Sequence, residues 1–199
     1  MTLLLLIAML APIPSVQLFN GKDLSGWEHV GPGRFVVEDG LLKSEGGMGL
    51  LWYTGRKFGT GVLRVVYKTT DEKTNSGVFI RIPEKPTEPW MPVNRGYEVQ
   101  ILDEADDYHT TGVLYSLTKA LARPGRAGDW NTMEIELDGP RTTVRVNGEL
   151  VTDYRENDPV PPKQHGYEPD RRPRPNEGYI GLQNHTGAIY FKEVTFSPR

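Results

Sequence analysis

The sequence predicts an all-β domain built as a sandwich of two antiparallel sheets. Three observations carry that prediction. With 22 glycines and 16 prolines in 199 residues, turns recur too closely for long helices. Short runs that alternate apolar and polar residues at period two recur along the chain. Asp39-Gly40 and Asn147-Gly148 each sit between two such runs, where a two-residue hairpin needs positive φ at both central positions. An apolar fraction of 37% with 10% aromatics is ordinary for a globular protein, and the length suffices for one core, so a single domain over 16–199 is expected.

The elements follow in order. TLLLLIAMLAPIPS is an apolar run followed by small residues and prolines, the length of a signal-peptide core and too short to span a bilayer. Residues 1–15 are read as a signal peptide for export to the periplasm or beyond, although no basic residue precedes Leu3 and no A-x-A precedes Val16; a buried N-terminal strand is the alternative. No membrane span is expected in the mature chain. RFVVEDGLLKSEG reads as a hairpin. GVLRVVYKTT sets Leu63, Val65 and Tyr67 against Arg64 and Lys68, and NSGVFIRI sets Val78, Ile80 and Ile82 against Phe79 and Arg81. In GYEVQILDE, Val99 and Ile101 face one way and Glu98 and Gln100 the other. Leu114, Leu117 and Leu121 have helical spacing, but Pro124 and glycines follow, so a turn or long loop is expected. TMEIELDG buries Met133, Ile135 and Leu137, TTVRVNGELV is a second hairpin, and GYIGLQN and IYFKEVTFS close a set of roughly a dozen strands. Between them, residues 155–178 hold six prolines and six basic or histidine residues, which predicts an exposed insertion, functional or mobile.

Inventory excludes several functions. The chain has no cysteine, so disulfides, thiolate metal sites, a cysteine nucleophile and a lipobox anchor are ruled out. A net charge of -3 leaves no broad basic surface, and apart from the local cluster Arg171, Arg172 and Arg174 nothing suggests nucleic acid. There is no G-x-S-x-G, no H-E-x-x-H and no phosphate-cradling glycine loop. Chemistry instead gathers around Glu98, Gln100 and Asp103. A bulge near Leu102 would bring Asp103 onto the face of Glu98 and Gln100, lining a trough suited to a sugar. Two carboxyls about 5.5 Å apart would suit a nucleophile and an acid, and about 6.5–9.5 Å would suit inversion through water. The plainer alternative is an exposed face whose acids pair with Arg81 or Lys68. His109 can reach the same groove as a proton carrier, and Asn184 with His185 can hydrogen-bond a sugar, though either histidine also suits a turn. Asp106, Asp107 and His109 lack a fourth ligand, so no metal and no cofactor are assigned. Trp27 and Trp130 border strands and read as core, while Trp90, in a polar proline-bounded loop, invites a ligand.

FNGKDLSGW, FVVEDGLLKSEGG, NSGVFIRIP, GYEVQILDE, TGVLYSL, GDWNTMEIEL, VNGELVTDY and EGYIGLQNHTG resemble, in order from Leu18 to Phe196, the motifs of the secreted bacterial 3-keto-disaccharide hydrolase family. The resemblance implies a concanavalin A-like jelly-roll sandwich, related to lectins and β-glucanases, that acts on or binds saccharides outside the cytoplasm. Glu98-x-Gln100-x-x-Asp103 is also similar to the E-x-D-x-x-E strand of laminarinase-type glucanases, with Gln in the middle and a shorter acid at the end, a poor fit to ordinary retaining hydrolysis. In a 3-keto sugar the ketone acidifies the C2 hydrogen, so a base can remove it, the enolate can expel the C1 oxygen, and water can add to the enone. On that reading Glu98 or His109 is the base, Arg81 the partner of the keto oxygen, and Asp103 or His109 the acid, with Gln100, Trp90, Tyr115, Asn184 and His185 contacting substrate. A noncatalytic carbohydrate-binding module and an interaction domain using the proline-rich loop are the alternatives.

Overall fold

The computed structural model describes residues 14–199, so the segment read as a signal peptide lies almost wholly outside it. The strands are β1 (Val16–Gln17), β2 (Trp27–Val30), β3 (Arg34–Glu38), β4 (Leu41–Glu45), β5 (Gly49–Tyr53), β6 (Gly61–Thr69), β7 (Asn75–Ile82), β8 (Tyr97–Ile101), β9 (Asn131–Asp138), β10 (Arg141–Val146), β11 (Glu149–Arg155), β12 (Tyr179–Thr186) and β13 (Ile189–Pro198), with one short helix, α1 (Met91–Arg95). They form two antiparallel sheets. The larger runs β11-β10-β9-β6-β13-β4-β3 with β1 on β13, and the smaller runs β2-β5-β12-β7-β8.

Both dipeptide hairpins form where the sequence places them. Asp39 and Gly40 take φ of 52° and 77° and join β3 to β4 with Glu38 opposite Leu41. Asn147 and Gly148, at 51° and 85°, join β10 to β11 with Val146 opposite Glu149. Inward-facing Leu63, Val65, Met133 and Ile135 of the larger sheet meet Val78, Ile80, Val99 and Leu182 of the smaller, all fully buried. Such contact supplies most of the stabilisation of a sandwich.

Regular alternation fails in β7. Arg81 takes φ of 54°, and the pairing of β12 with β7 slips between Tyr179 and Gly181. This bulge turns Arg81 through the sandwich instead of onto the outer face expected for it. Its guanidinium is fully buried and donates to the carbonyls of Gly139 (2.7 Å), Arg141 (3.1 Å) and Pro175 (3.0 Å), and to Thr142 Oγ1 (3.2 Å). Ile82 turns outward in exchange and joins Leu50, Trp52, Phe79, Met91 and Val93 in a second apolar cluster where α1 covers the outer face of the smaller sheet.

Two loops complete that cover. The segment with leucines at helical spacing forms no helix: Leu114 and Leu117 are buried, but Leu121 is 64% exposed. Its backbone instead runs along the open edge of β8, with Gln100 N donating to Val113 O, Gly112 N to Gln100 O and Tyr115 N to Glu98 O, each at 2.9 Å. Self-pairing satisfies an edge that would otherwise expose its donors and acceptors. The proline-rich loop is mostly exposed, as expected, and is anchored inward at Glu168 and Arg174. Proline has no N–H to enter a ladder, so carbonyls here need side-chain donors, and arginines supply them. Arg174, 5% exposed, donates to Gly96 O and Asn94 O at 2.8 Å and lies over the Tyr97 ring, while Arg171 binds Glu168, Pro161 O and Pro169 O.

Of the two tryptophans read as core, Trp27 is buried, with Nε1 donating to Leu18 O. Trp130 is not: it is 38% exposed, with Lys68 and Lys192 over its ring. Lys68 therefore belongs to the larger sheet, away from Glu98. Among the described residues no helix is long and apolar enough to cross a membrane.

Candidate functional site

A pocket of about 310 Å³ opens on the outer face of the smaller sheet, lined by Asn75, Trp90, Val93, Glu98, Gln100, Tyr115, Tyr167, Gln183 and His185. Strand periodicity supplies its floor: Glu98 and Gln100 alternate on β8, Gln183 and His185 on β12. Gly77 of β7, between them, makes the room, since a Cβ there would lie 2.8 Å from Glu98 Oε1. The walls come from elsewhere. Tyr115 arrives on the segment that pairs with β8, Trp90 on the turn entering α1, where its ring meets His185 edge-on at 5.5 Å, and Tyr167 on the proline-rich loop.

The polar groups are held out of water and incompletely paired. Glu98 is 5% exposed, and burial pushes its carboxyl up to about 8, with the Gln183 side chain pulling the other way. Gln100 Nε2 donates to Asn75 Oδ1 at 3.1 Å. The side-chain oxygens of Gln100 and Gln183, residues 1% and 2% exposed, have no partner among the described residues. Burial, with the Glu98 charge adding, pushes the Tyr115 phenol up to about 12, which keeps it a neutral donor. Burial also holds the His185 imidazole below its usual range, favouring the neutral ring. The pocket therefore offers a titratable carboxyl, a phenol donor, two unpaired acceptors and aromatic faces, a set able to bind a polyhydroxylated ring and move a proton on it.

Five residues singled out in the sequence come together here: Glu98, Gln100, Trp90, Tyr115 and His185. Four do not line the pocket. Arg81 is turned inward by its bulge. Asp103 is not brought round: the chain leaves β8 at Leu102, whose N–H donates to Thr111 Oγ1, and that hydroxyl donates to Asp103 Oδ1 at 2.5 Å. His109 stands behind Tyr115, ring centroids 5.1 Å apart, with Nδ1 held 2.8 Å from the Asp106 carboxylate. Asn184 alternates inward, its amide donating to Glu45 O at 2.7 Å. Asn75, Val93, Tyr167 and Gln183 are the lining residues that sequence reasoning missed. Gln183 was legible, since period two groups it with His185 and sets Asn184 apart; nothing local marks Tyr167.

Residues 14–197 match the family model of the 3-keto-alpha-glucoside-1,2-lyase-like domain. The chain belongs to this family. No curated protein matches the sequence significantly. Among solved structures, a candidate glycosyl hydrolase from Parabacteroides distasonis is similar at TM-score 0.79 and 21% identity, over 93% of this chain and 94% of that one. The carbohydrate-binding module CBM66 of Bacillus subtilis is similar at TM-score 0.62 and 14% identity, over 86% and 95% of the two chains. The β-glucanase of Bacillus licheniformis is similar at TM-score 0.55 and 14% identity, over 92% and 97%. At these identities the likeness shows the fold, a jelly-roll sandwich. In this lyase-like domain the pocket lies on the outer face of the smaller sheet and contains one carboxyl, Glu98.

Proposed function

We propose that the chain cleaves 3-keto-α-glucosides by elimination, with Glu98 as the group that moves the proton. The observation that carries this reading is a buried carboxyl that has no basic partner among the described residues, in a pocket where the second acid of the glucanase-like pattern, Asp103, is tied elsewhere. Retaining or inverting hydrolysis uses two carboxyls flanking the bond, whereas elimination next to a ketone needs one base. Ionised Glu98 takes the C2 proton as the electron pair moves onto the C3 oxygen, and the Tyr115 phenol donates to the resulting enolate. The enolate collapses, the C1–O bond breaks, and the departing oxygen takes the proton back from Glu98. The products are an enone and an alcohol, and addition of one water to the enone completes a net hydrolysis. The amide oxygens of Gln100 and Gln183 accept from sugar hydroxyls, and Trp90 offers a ring face. Family membership supports the keto-sugar substrate, and the apolar leader supports action outside the cytoplasm.

The test is Glu98→Gln assayed on methyl 3-keto-α-glucoside. Turnover is expected to fall by about 10²–10⁴, with binding of the glycoside retained in calorimetry. Unchanged turnover removes Glu98 as the base. A second reading, a carbohydrate-binding module, is favoured by the two buried amide acceptors and three aromatics around one carboxyl. Saccharide binding by the wild-type chain with no turnover of oxidised or unoxidised glycosides would select it.

A further inference from the structure

The floor of the Glu98 pocket gathers buried acceptors that lack donors. Gln100 of β8 and Gln183 of β12 share one rung of the smaller sheet, with Gly77 of β7 between them. Two strand spacings set their backbones roughly 10 Å apart. Glycine places no side chain in that interval, and the Glu98 carboxyl leans over it, with Oε1 2.8 Å from where a Cβ on Gly77 would lie. Glu98, Gln100 and Gln183 are 5%, 1% and 2% exposed, and the side-chain oxygens of both glutamines have no donor among the described residues. A buried acceptor without a donor is destabilising, and a buried carboxylate without a cation is more so.

We propose that this floor is an ammonium site, and that the pocket takes an amino sugar whose –NH3+ group donates to Glu98, Gln100 and Gln183. This rests on the saccharide reading of the pocket and narrows it. Donors and acceptors agree in number, since a primary ammonium has three N–H groups and three side chains present oxygens. Charge decides between an ammonium and a set of hydroxyls, because a hydroxyl leaves the carboxylate without a cation. No Lys or Arg is among the lining residues, and burial holds the imidazole of His185 below its usual range, so the cation has to arrive with the ligand. Trp90, Tyr115 and Tyr167 line the same pocket, and the faces of such rings attract cations. A carboxylate has two oxygens, so one Glu98 oxygen holds the ammonium while the other stays available for the C2 proton. A uronate, which carries the same sign of charge as Glu98, is disfavoured.

Calorimetry on the wild-type chain tests the assignment with unoxidised glycosides, which have no ketone and are not consumed by elimination. At pH 7 methyl α-glucosaminide is expected to bind about tenfold tighter than methyl α-glucoside. Its N-acetyl derivative, with a neutral nitrogen and one N–H, is expected to bind no tighter than the glucoside. A cation beside Glu98 favours the charged form, so the carboxyl, pushed up to about 8 in the free chain, gives up its proton as the ammonium arrives. Tyr115, pushed up to about 12, and His185, held neutral, share the pocket and release none. Titrations in two buffers of different ionisation enthalpy are therefore expected to show most of one proton released per glucosaminide and none per glucoside. Glu98→Gln is expected to remove both the preference and the release. Equal affinity for glucosaminide and glucoside overturns the ammonium site and leaves the saccharide reading standing. A preference without proton release, or one that Glu98→Gln leaves intact, overturns it too. Cyclohexylammonium, a ring with the cation and no hydroxyls, separates the two readings. If it matches glucosaminide in affinity and proton release, the amino sugar is overturned together with the saccharide reading, and the floor is a site for a plain amine.

Discussion

On the outer face of the larger sheet Arg64 reaches Glu134 at 3.3 Å and Glu193 at 3.1 Å, all three side chains about a third or more exposed. On the outer face of the smaller sheet Glu98 is buried, and no basic side chain pairs with it among the described residues. Period-two alternation writes both faces the same way, as polar residues opposite a core. What separates them is cover. None of the described residues roofs Arg64, which is 39% exposed, so water screens its ion pairs and they contribute little. Helix α1, the segment along β8 and the proline-rich loop roof Glu98, and a carboxyl removed from water without a cation is destabilising while ionised. Strongly shifted carboxyls of this kind cluster at functional sites.

The comparison can be sharpened by removing each group, and the largest effect is expected at Glu98. Beyond the loss of turnover stated above, its titration gives a pH signature. The folded value is raised from 4.5 to about 8, so between those limits the folded chain holds a proton that the unfolded chain releases. Stability contributed by this group is then full at low pH, falls as pH rises through the window and is flat above it, by an amount on the order of 4 kcal/mol. Thermal melts of wild type against Glu98→Gln from pH 5 to 9 read this directly; parallel curves would mean that Glu98 titrates as an ordinary surface acid. The same ionisation makes turnover rise with pH towards a plateau above about 8.

Next in size is Arg81→Ala. It leaves the carbonyls of Gly139, Arg141 and Pro175 without their donor and is expected to destabilise by about 3 kcal/mol or more in denaturant melts. Full stability with lost turnover would return Arg81 to the site. Smallest is Arg64→Ala, expected below about 1 kcal/mol and smaller still in high salt. A larger loss would show that the larger sheet's outer face is not the inert half of the comparison.

The hairpins were legible in the sequence because Asp39-Gly40 and Asn147-Gly148 carry their own turn geometry, and the sidedness of Glu98 and Gln100 was legible because alternation within one short strand is local. Arg81 was not, because a bulge at a non-glycine residue leaves no mark in a period-two pattern; carbonyls more than fifty residues away in sequence hold it in place. Asp103 failed for a related reason. The bulge that would have turned it outward was an assumption, and Thr111, on a segment whose path no local pattern fixed, captures it instead. Proline-rich composition indicated an exposed loop, and most of its residues are exposed; what composition does not name are the partners that hold buried Arg174 and Glu168. Tyr167 reaches the pocket only through that bracing.

A rim built on proline has few conformations to surrender. Six rings restrict the backbone from residue 159 to residue 175, and arginine clamps restrict it further in the unliganded chain. On the proposed reading, closing around a ligand demands little further ordering there, so affinity gained at Tyr167 is expected to follow contact surface more than the immobilisation of a wandering segment.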